Sequence, residues 1–477
     1  MLDAHYNERK VTSFKYSMGW LLALIFPITV ACWEWIFGAG FGDIAINARI
    51  FLAIFGSAIC MWIFDVVPSF VPGLFIILSS VTLGIVPHKI ILSGFSGISF
   101  IMALSFLGLG SAIMASALPD RLYKFLERIA PKSQIWRMSS LMVVGSFMTM
   151  TIPTVPGTGV RFDMLKGMLR HFKLHNPRER FLAVLQIFQG AQLFSPVFLS
   201  GSTLNFILLS LLRAQEQFRF QWLGWVQAMM VFMAVILVGH TLLSWIVSRF
   251  ISAKASPNKK FNIHLEAGNN AKLRLHDWIA LVCFVIFCVG LLTSELHKIY
   301  PAWLALLTLY VLLLYSVLQQ DDFRHKIPWE SMILLASLSG TLAGLEYMHL
   351  NAELGKSLQW LGGYMAVDFT TFFFILVGIV WSARFLVPFG ITAIILSAIF
   401  VPLSYQHGVN PWCVSITIMV LAQCWFFPYQ SAEFQNLRNE FGKEQDKYFL
   451  IYNACMNIIR VIALFVSFLY WGRLGFL

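Results

Sequence analysis

Charge is what this 477-residue chain has least of: 12% of its residues are Asp, Glu, Lys or Arg, against about 25% in an average soluble domain. So little charge excludes a cytosolic globular enzyme. Asn-x-Ser/Thr acceptors are missing too, in keeping with a bacterial origin. The seven cysteines (Cys32, Cys60, Cys283, Cys288, Cys413, Cys424 and Cys455) are an odd number in apolar surroundings without metal-ligand spacing. They argue against a disulfide framework and read as packing residues. No ATP-binding motif is present, and Gly108-Leu109-Gly110 follows no strand, so a dinucleotide site fails. The first fifteen residues carry Asp3, His5, Glu8, Arg9, Lys10 and Lys15, too polar for a cleaved signal peptide.

What the chain does have is apolar surface: 58% hydrophobic residues, with 44 Phe and 16 Trp. This composition predicts an all-α polytopic membrane protein with about 11 transmembrane spans. The net charge is +11, but the basic residues form short clusters between apolar runs rather than one patch. They read as topology signals and not as a nucleic-acid surface.

A bilayer core of about 30 Å takes roughly 20 apolar residues in a helix. Ordinary spans fall near 17–37, 46–67, 69–86, 97–118, 179–199, 222–247, 276–294, 299–318, 329–347 and 449–471. Two stretches, 135–172 and 367–404, are interrupted near their middles by Pro, Gly and an arginine, and read as re-entrant hairpins. Two more, 179–212 and 411–437, read as broken helices, with polar breaks from Ser195-Pro196 to Asn205 and from Pro428 to Glu433. A continuous lipid-facing helix would not carry such residues, because freed backbone groups cost several kcal/mol unless protein or water satisfies them.

The abnormal places recur. Val155-Pro156 and Val387-Pro388 lie 232 residues apart, as do Pro196 and Pro428, and Gly108 and Gly340. Three such pairs in one order suggest an inverted internal repeat. The organisation expected is a cytosolic tail (1–16), a first span outside the repeat (17–37), repeat 1 (46–247), a basic cytosolic loop (248–275) and repeat 2 (276–477). Repeat 1 includes an amphipathic surface helix at 119–133, whose counterpart in repeat 2 is 351–362. With the N-terminus cytosolic and the C-terminus outside, cytosolic segments collect 24 of the 34 Lys and Arg. That asymmetry agrees with the positive-inside rule, and the membrane expected is the bacterial inner one.

Half-helices that meet near the midplane direct partial charges at a buried solute, so the hairpin tips and helix breaks are the candidate site. The first tip offers Thr154, Gly157 and Thr158. The second runs from Arg384 through Gly390 to Thr392. An arginine at membrane depth must face protein, water or an anion, and its planar fork matches carboxylate or sulfate. Arg384 therefore reads as an anion clamp or as half of a structural ion pair. Glu433 reads as a proton-coupling acid or as a salt-bridge partner of Arg460 or Arg384. Asn453, Asn457 and Arg460 form one stripe at i, i+4 and i+7, a pattern that more often joins helices than binds solute. His171 and His175 imitate a metal pair but lack the intervening Glu.

The order of hairpin tip, then a broken helix with Gly201-Ser202-Thr203-Leu204-Asn205, then a second such set, resembles the divalent anion/sodium symporter family. That family has a Gly-Thr-Pro-Pro-Asn-like loop at the position of 201–205. The run Gln423-Cys424-Trp425-Phe426-Phe427-Pro428, after His407-Gly408-Val409-Asn410-Pro411, resembles its second-repeat counterpart. Family tips carry Ser-Asn-Thr; here Pro156-Gly157-Thr158 and Phe389-Gly390-Ile391 stand instead. The resemblance implies a secondary active transporter of an elevator type, not an enzyme, without a cofactor, moving a small anion such as a dicarboxylate or sulfate as a homodimer in the lipid bilayer. Thr158, Gly157, Ser202, Thr203, Asn205, Arg384, Gly390, Thr392 and Ser431 would face the substrate. Thr154, Gly201, Gln430 and Glu433 would serve a coupling ion, Na+ or H+. The alternatives are a proton-coupled or uncoupled transporter or receptor for a bulkier solute, and a membrane enzyme acting on lipid-linked saccharide.

Overall fold

The computed structural model describes residues 13–32, 45–64, 66–116, 121, 141–143, 145–146, 149, 177–252, 274–293, 297, 299–350, 359–431, 434–435 and 446–476. Among these, the regular elements are helices alone. In chain order they are α1 (Ser13–Ala31), α2 (Ile46–Ile63), α3 (Val71–Thr82), α4 (His88–Ile91), α5 (Ile98–Ala115) and α6 (Pro177–Leu193). Next come α7 (Thr203–Ser210), α8 (Ala214–Arg219), α9 (Trp222–Ser252), α10 (Leu275–Leu292), α11 (Pro301–Leu314) and α12 (Gln320–Lys326). The last are α13 (Trp329–Tyr347), α14 (Gln359–Val367), α15 (Phe369–Leu386), α16 (Phe389–Gln406), α17 (Pro411–Ala422) and α18 (Asp446–Arg473).

Proline sets many of these boundaries. Pro72, Pro301 and Pro411 lie in the first turns of α3, α11 and α17, where a missing N–H costs nothing. Pro388 caps α16 and forces the residue before it, Val387, into an extended conformation (φ −118°, ψ 138°), which stops α15 at Leu386.

Four helices, Ile46–Ile63, Trp222–Val247, Phe389–Gln406 and Asp446–Arg473, are long and apolar enough to cross a membrane, and eight shorter apolar helices accompany them. Leu237, Val238, Leu242, Trp245 and Ile246 of α9 are exposed together. In water such a band would drive association; in lipid it is the expected outer surface. The protein is all-α, polytopic and integral to the membrane.

The chain divides into two compact units, with boundaries inside α5 and α17 and at the last residue of α7. The first contains α1–α4, α13–α16 and the start of α17; the second contains most of α5, α6–α12, the end of α17 and α18. Element positions recur at an offset close to 232 residues. Thus His88 opens α4 and Gln320 opens α12, while α2, α3, α5, α6 and α9 correspond to α10, α11, α13, α17 and α18. Each unit therefore joins the opening helices of one stretch to later helices of the other. In the first unit a Cβ on Gly73 of α3 would stand 2.1 Å from Ser337 Oγ of α13, and one on Gly340 would stand 1.8 Å from the Ile91 carbonyl. In the second, a Cβ on Gly108 of α5 would stand 2.4 Å from Leu309 of α11. Glycine permits these close helix approaches in all three places.

Helices α9 and α18 run antiparallel and touch reciprocally. Trp471 Nε1 donates to the Ala228 carbonyl (2.8 Å), and a Cβ on Gly239 would stand 2.6 Å from Ile459. After removal of the 232-residue offset, Trp471 falls on Gly239 and Ile459 on Gln227, so each contact repeats the other to within one residue.

Most of the expected surface helix at 119–133, most of the first hairpin at 135–172 and most of the 248–275 loop lie outside the described residues. Of the expected 351–362 helix the described part is α14, which continues to Val367. The second interrupted stretch consists of α15 and α16, each of 18 residues. At about 1.5 Å per residue each arm is close to 27 Å long, more than half a bilayer core.

Candidate solute and ion site at two helix breaks

Helix α6 ends at Leu193, and a 3-10 turn at Leu199–Gly201 and an extended Ser202 precede α7. Thr203, Leu204 and Asn205, placed in the break by sequence, already belong to α7. The carbonyls freed by the break find local donors, as lipid depth requires. Ser195 Oγ donates to the Gly201 carbonyl (3.0 Å), and Asn205 Nδ2 donates to the carbonyls of Ser195 (2.9 Å) and Phe198 (2.8 Å). Trp225 Nε1 of α9 donates to the Pro196 carbonyl (2.8 Å). A Cβ at Gly201 would stand 2.3 Å from the Ser195 carbonyl, so the loop closes only on glycine. Ser202 Oγ accepts from the Leu204 amide (3.2 Å). Asn205 is fully buried, and its Oδ1 has no hydrogen-bond partner among the described residues.

The second break starts earlier than its polar residues suggested, at Gln423 rather than Pro428. The reason is α18. Asn453 Nδ2 (2.6 Å) and Asn457 Nδ2 (2.8 Å) both donate to the Trp425 carbonyl, and Arg460 Nη1 donates to the Gln423 carbonyl (3.4 Å). Backbone groups that would have continued α17 are taken by this stripe, which joins α18 to the break. Gln430 Oε1 accepts from the amides of Phe426 (2.6 Å) and Phe427 (3.1 Å), and Ser431 Oγ accepts from the Phe434 amide (3.2 Å). The side chains of Gln430 and Ser431 thus fold the break itself.

The joint between α15 and α16 is self-bonded. Arg384, 2% exposed, donates from Nη1 to the Val387 carbonyl (2.8 Å). Thr392 Oγ1 donates to the carbonyls of Pro388 (3.0 Å) and Val387 (3.3 Å), and Gly390 is buried beside it. These three residues belong to the first unit. Gly201, Ser202, Thr203, Asn205, Gln430 and Ser431 belong to the second. Thr154, Gly157, Thr158 and Glu433 lie outside the described residues, as does Arg161.

One buried cluster went unnoticed in the sequence. His240 of α9 bonds through Nδ1 to the Tyr452 hydroxyl and through Nε2 to Gln186 Oε1 (2.8 Å). With Nε2 protonated and Nδ1 accepting, the neutral ring satisfies both partners. The available signal was a lone histidine inside a 26-residue apolar span.

Among solved structures, the chain is similar to the Alcanivorax borkumensis YdaH transporter, a protein described as having an unusual topology. The likeness has 15% identity and a TM-score of 0.54, over 81% of this chain and 88% of that one, and shows a shared fold. No curated protein matches. The profile of the sodium:sulfate symporter transmembrane region matches residues 20–477. The chain belongs to that family. As a sodium:sulfate symporter family member it is a secondary transporter and not an enzyme. The two helix breaks fall well inside the matched region.

Proposed function

We propose that the protein moves a small anionic solute, dicarboxylate- or sulfate-like, by elevator-type alternating access coupled to a cation gradient. The observation that carries this reading is the first break. A buried asparagine oxygen without a described partner, beside a loop of redirected carbonyls, is an acceptor set suited to a desolvated cation. An adjacent cation in turn favours a bound anion. The chain's partition into two compact units, one of which holds both breaks, supplies the separate bodies that such a motion uses. We assign Ser202 and Thr203, with the tip residues Gly157 and Thr158, to the solute. Thr154, Gly201 and Asn205 are assigned to the coupling ion. The functional form is a homodimer with a cytosolic N-terminus.

Proteoliposomes loaded in choline and diluted into radiolabelled sulfate or succinate test the proposal, with sodium, potassium or an inward proton gradient outside. Accumulation above the equilibrium level in sodium is the expected result; accumulation only with the proton gradient would assign the coupling to protons. Equilibration without accumulation in every condition would overturn active transport.

A further inference from the structure

The two helix breaks, equivalent in position, differ in charge. At the first, the described donors to the carbonyls of Ser195, Phe198 and Pro196 are neutral, from Asn205 and Trp225. At the second, Asn457 stands 232 positions after Trp225 and takes the same task, donating to the Trp425 carbonyl. One turn further, Arg460 stands where the first stretch has Ala228. Its guanidinium is 3% exposed. Its described partners are all uncharged: the Gln423 carbonyl (3.4 Å), Asn457 Oδ1 (3.3 Å) and Cys424 Sγ (3.9 Å). A cation at this depth is costly unless oxygens and dipoles compensate it. The compensation comes from the end of α17, whose twelve residues are buried throughout and whose aligned peptides leave partial negative charge at Gln423.

We propose that Arg460 is a tethered cation that fills the second helix break in place of a mobile one, so that this break binds no coupling ion in the native protein. The inference takes the breaks as ion sites from the function proposed above. It needs no solute and no flux to test, so its failure is distinguishable from failure of the transport reading. Removal of the guanidinium without replacement of its charge then creates a cation site lined by the Gln423 carbonyl and Asn457 Oδ1.

The test is equilibrium binding of radiosodium to purified protein, with thermal unfolding in sodium and in choline chloride. Arg460→Met is expected to bind one more sodium per chain than the native protein, and to unfold at a lower temperature in choline that millimolar sodium restores. Arg460→Lys, which keeps the charge, is expected to leave the sodium count unchanged. Asn457→Leu, which removes a brace but no charge, is expected to lose stability equally in both salts. An unchanged sodium count in Arg460→Met, or a fall in stability indifferent to sodium, overturns the proposal. So does an Arg460→Met protein that does not fold even in high sodium, or sodium rescue of Asn457→Leu to the same degree.

Discussion

Arg384 turns back on its own helix end: its Nη1 lies 2.8 Å from the carbonyl of Val387, three residues on. The bond places a buried cation at the negative end of α15 and satisfies a carbonyl that the extended Val387-Pro388 link has released. Arg384→Ala is expected to reduce stability by about 1–3 kcal/mol, the range for a buried acceptor that loses a charged donor. Thermal unfolding in detergent checks this, and a loss of solute binding without any loss of stability would count against the bracing role.

The close approach of α13 to Ile91 rests on one glycine. A Cβ on Gly340 would stand 1.8 Å from a backbone carbonyl, which cannot swing aside as a side chain can. Gly340→Ala is expected to lower the unfolding temperature and the folded yield. Gly378→Ala, with nothing within 4 Å of the new methyl, is the control. It should be neutral or stabilising by up to about 1 kcal/mol through helix propensity. Parallel melts of the two variants decide the matter.

His240 and Tyr452 act as one unit with Gln186, since Nδ1 bonds to the Tyr452 hydroxyl and Nε2 to Gln186 Oε1 (2.8 Å), with Ser244 Oγ further off at 3.4 Å. Loss of either member strands the other in a buried site. A double-mutant cycle of His240→Ala and Tyr452→Phe should give a coupling energy of about 0.5–3 kcal/mol. Strict additivity would show that the two side chains are adjacent without being coupled.

Asp368 caps α15, accepting from the Thr371 amide (3.2 Å) and from the Thr371 hydroxyl. These hydrogen bonds hold its carboxyl below its ordinary range. The sign follows: a depressed folded value gives stability that is present above the ordinary carboxylate range near pH 4 and is lost as pH falls through the folded value. Wild-type protein should lose this contribution as pH falls below about 4, whereas Asp368→Ala should lack it at every pH. Melting temperatures across that fall, compared between the two proteins, are the check.

Much of the architecture was legible in sequence because its causes are local. Apolar length fixed the membrane class, and Pro388 and Pro411 mark where α16 and α17 begin, since a ring without an N–H is best tolerated at a helix start, although Pro27 and Pro402 lie inside α1 and α16. The polar stripe at Asn453, Asn457 and Arg460 was visible from its spacing, and its task of joining helices matches its bonds to the second break. The start of that break was not visible, because the donors that end α17 at Ala422 come from a helix about 30 residues later. Gln430 had looked like an ion ligand by residue type, yet its oxygen serves two amides of its own loop.

The sequence alone determined an all-α membrane protein with broken helices at one pair of related positions, 179–212 and 411–437, because hydrophobic runs and Pro-Gly breaks need no partner to act. Only the tertiary structure decided which carbonyl each buried donor serves. It gave Arg384 to Val387, Arg460 to Gln423, and left Asn205 Oδ1 without a described partner. In a membrane interior every such group must be satisfied by whatever helix is packed beside it. That neighbour is a matter of packing, which no local spacing along the chain records.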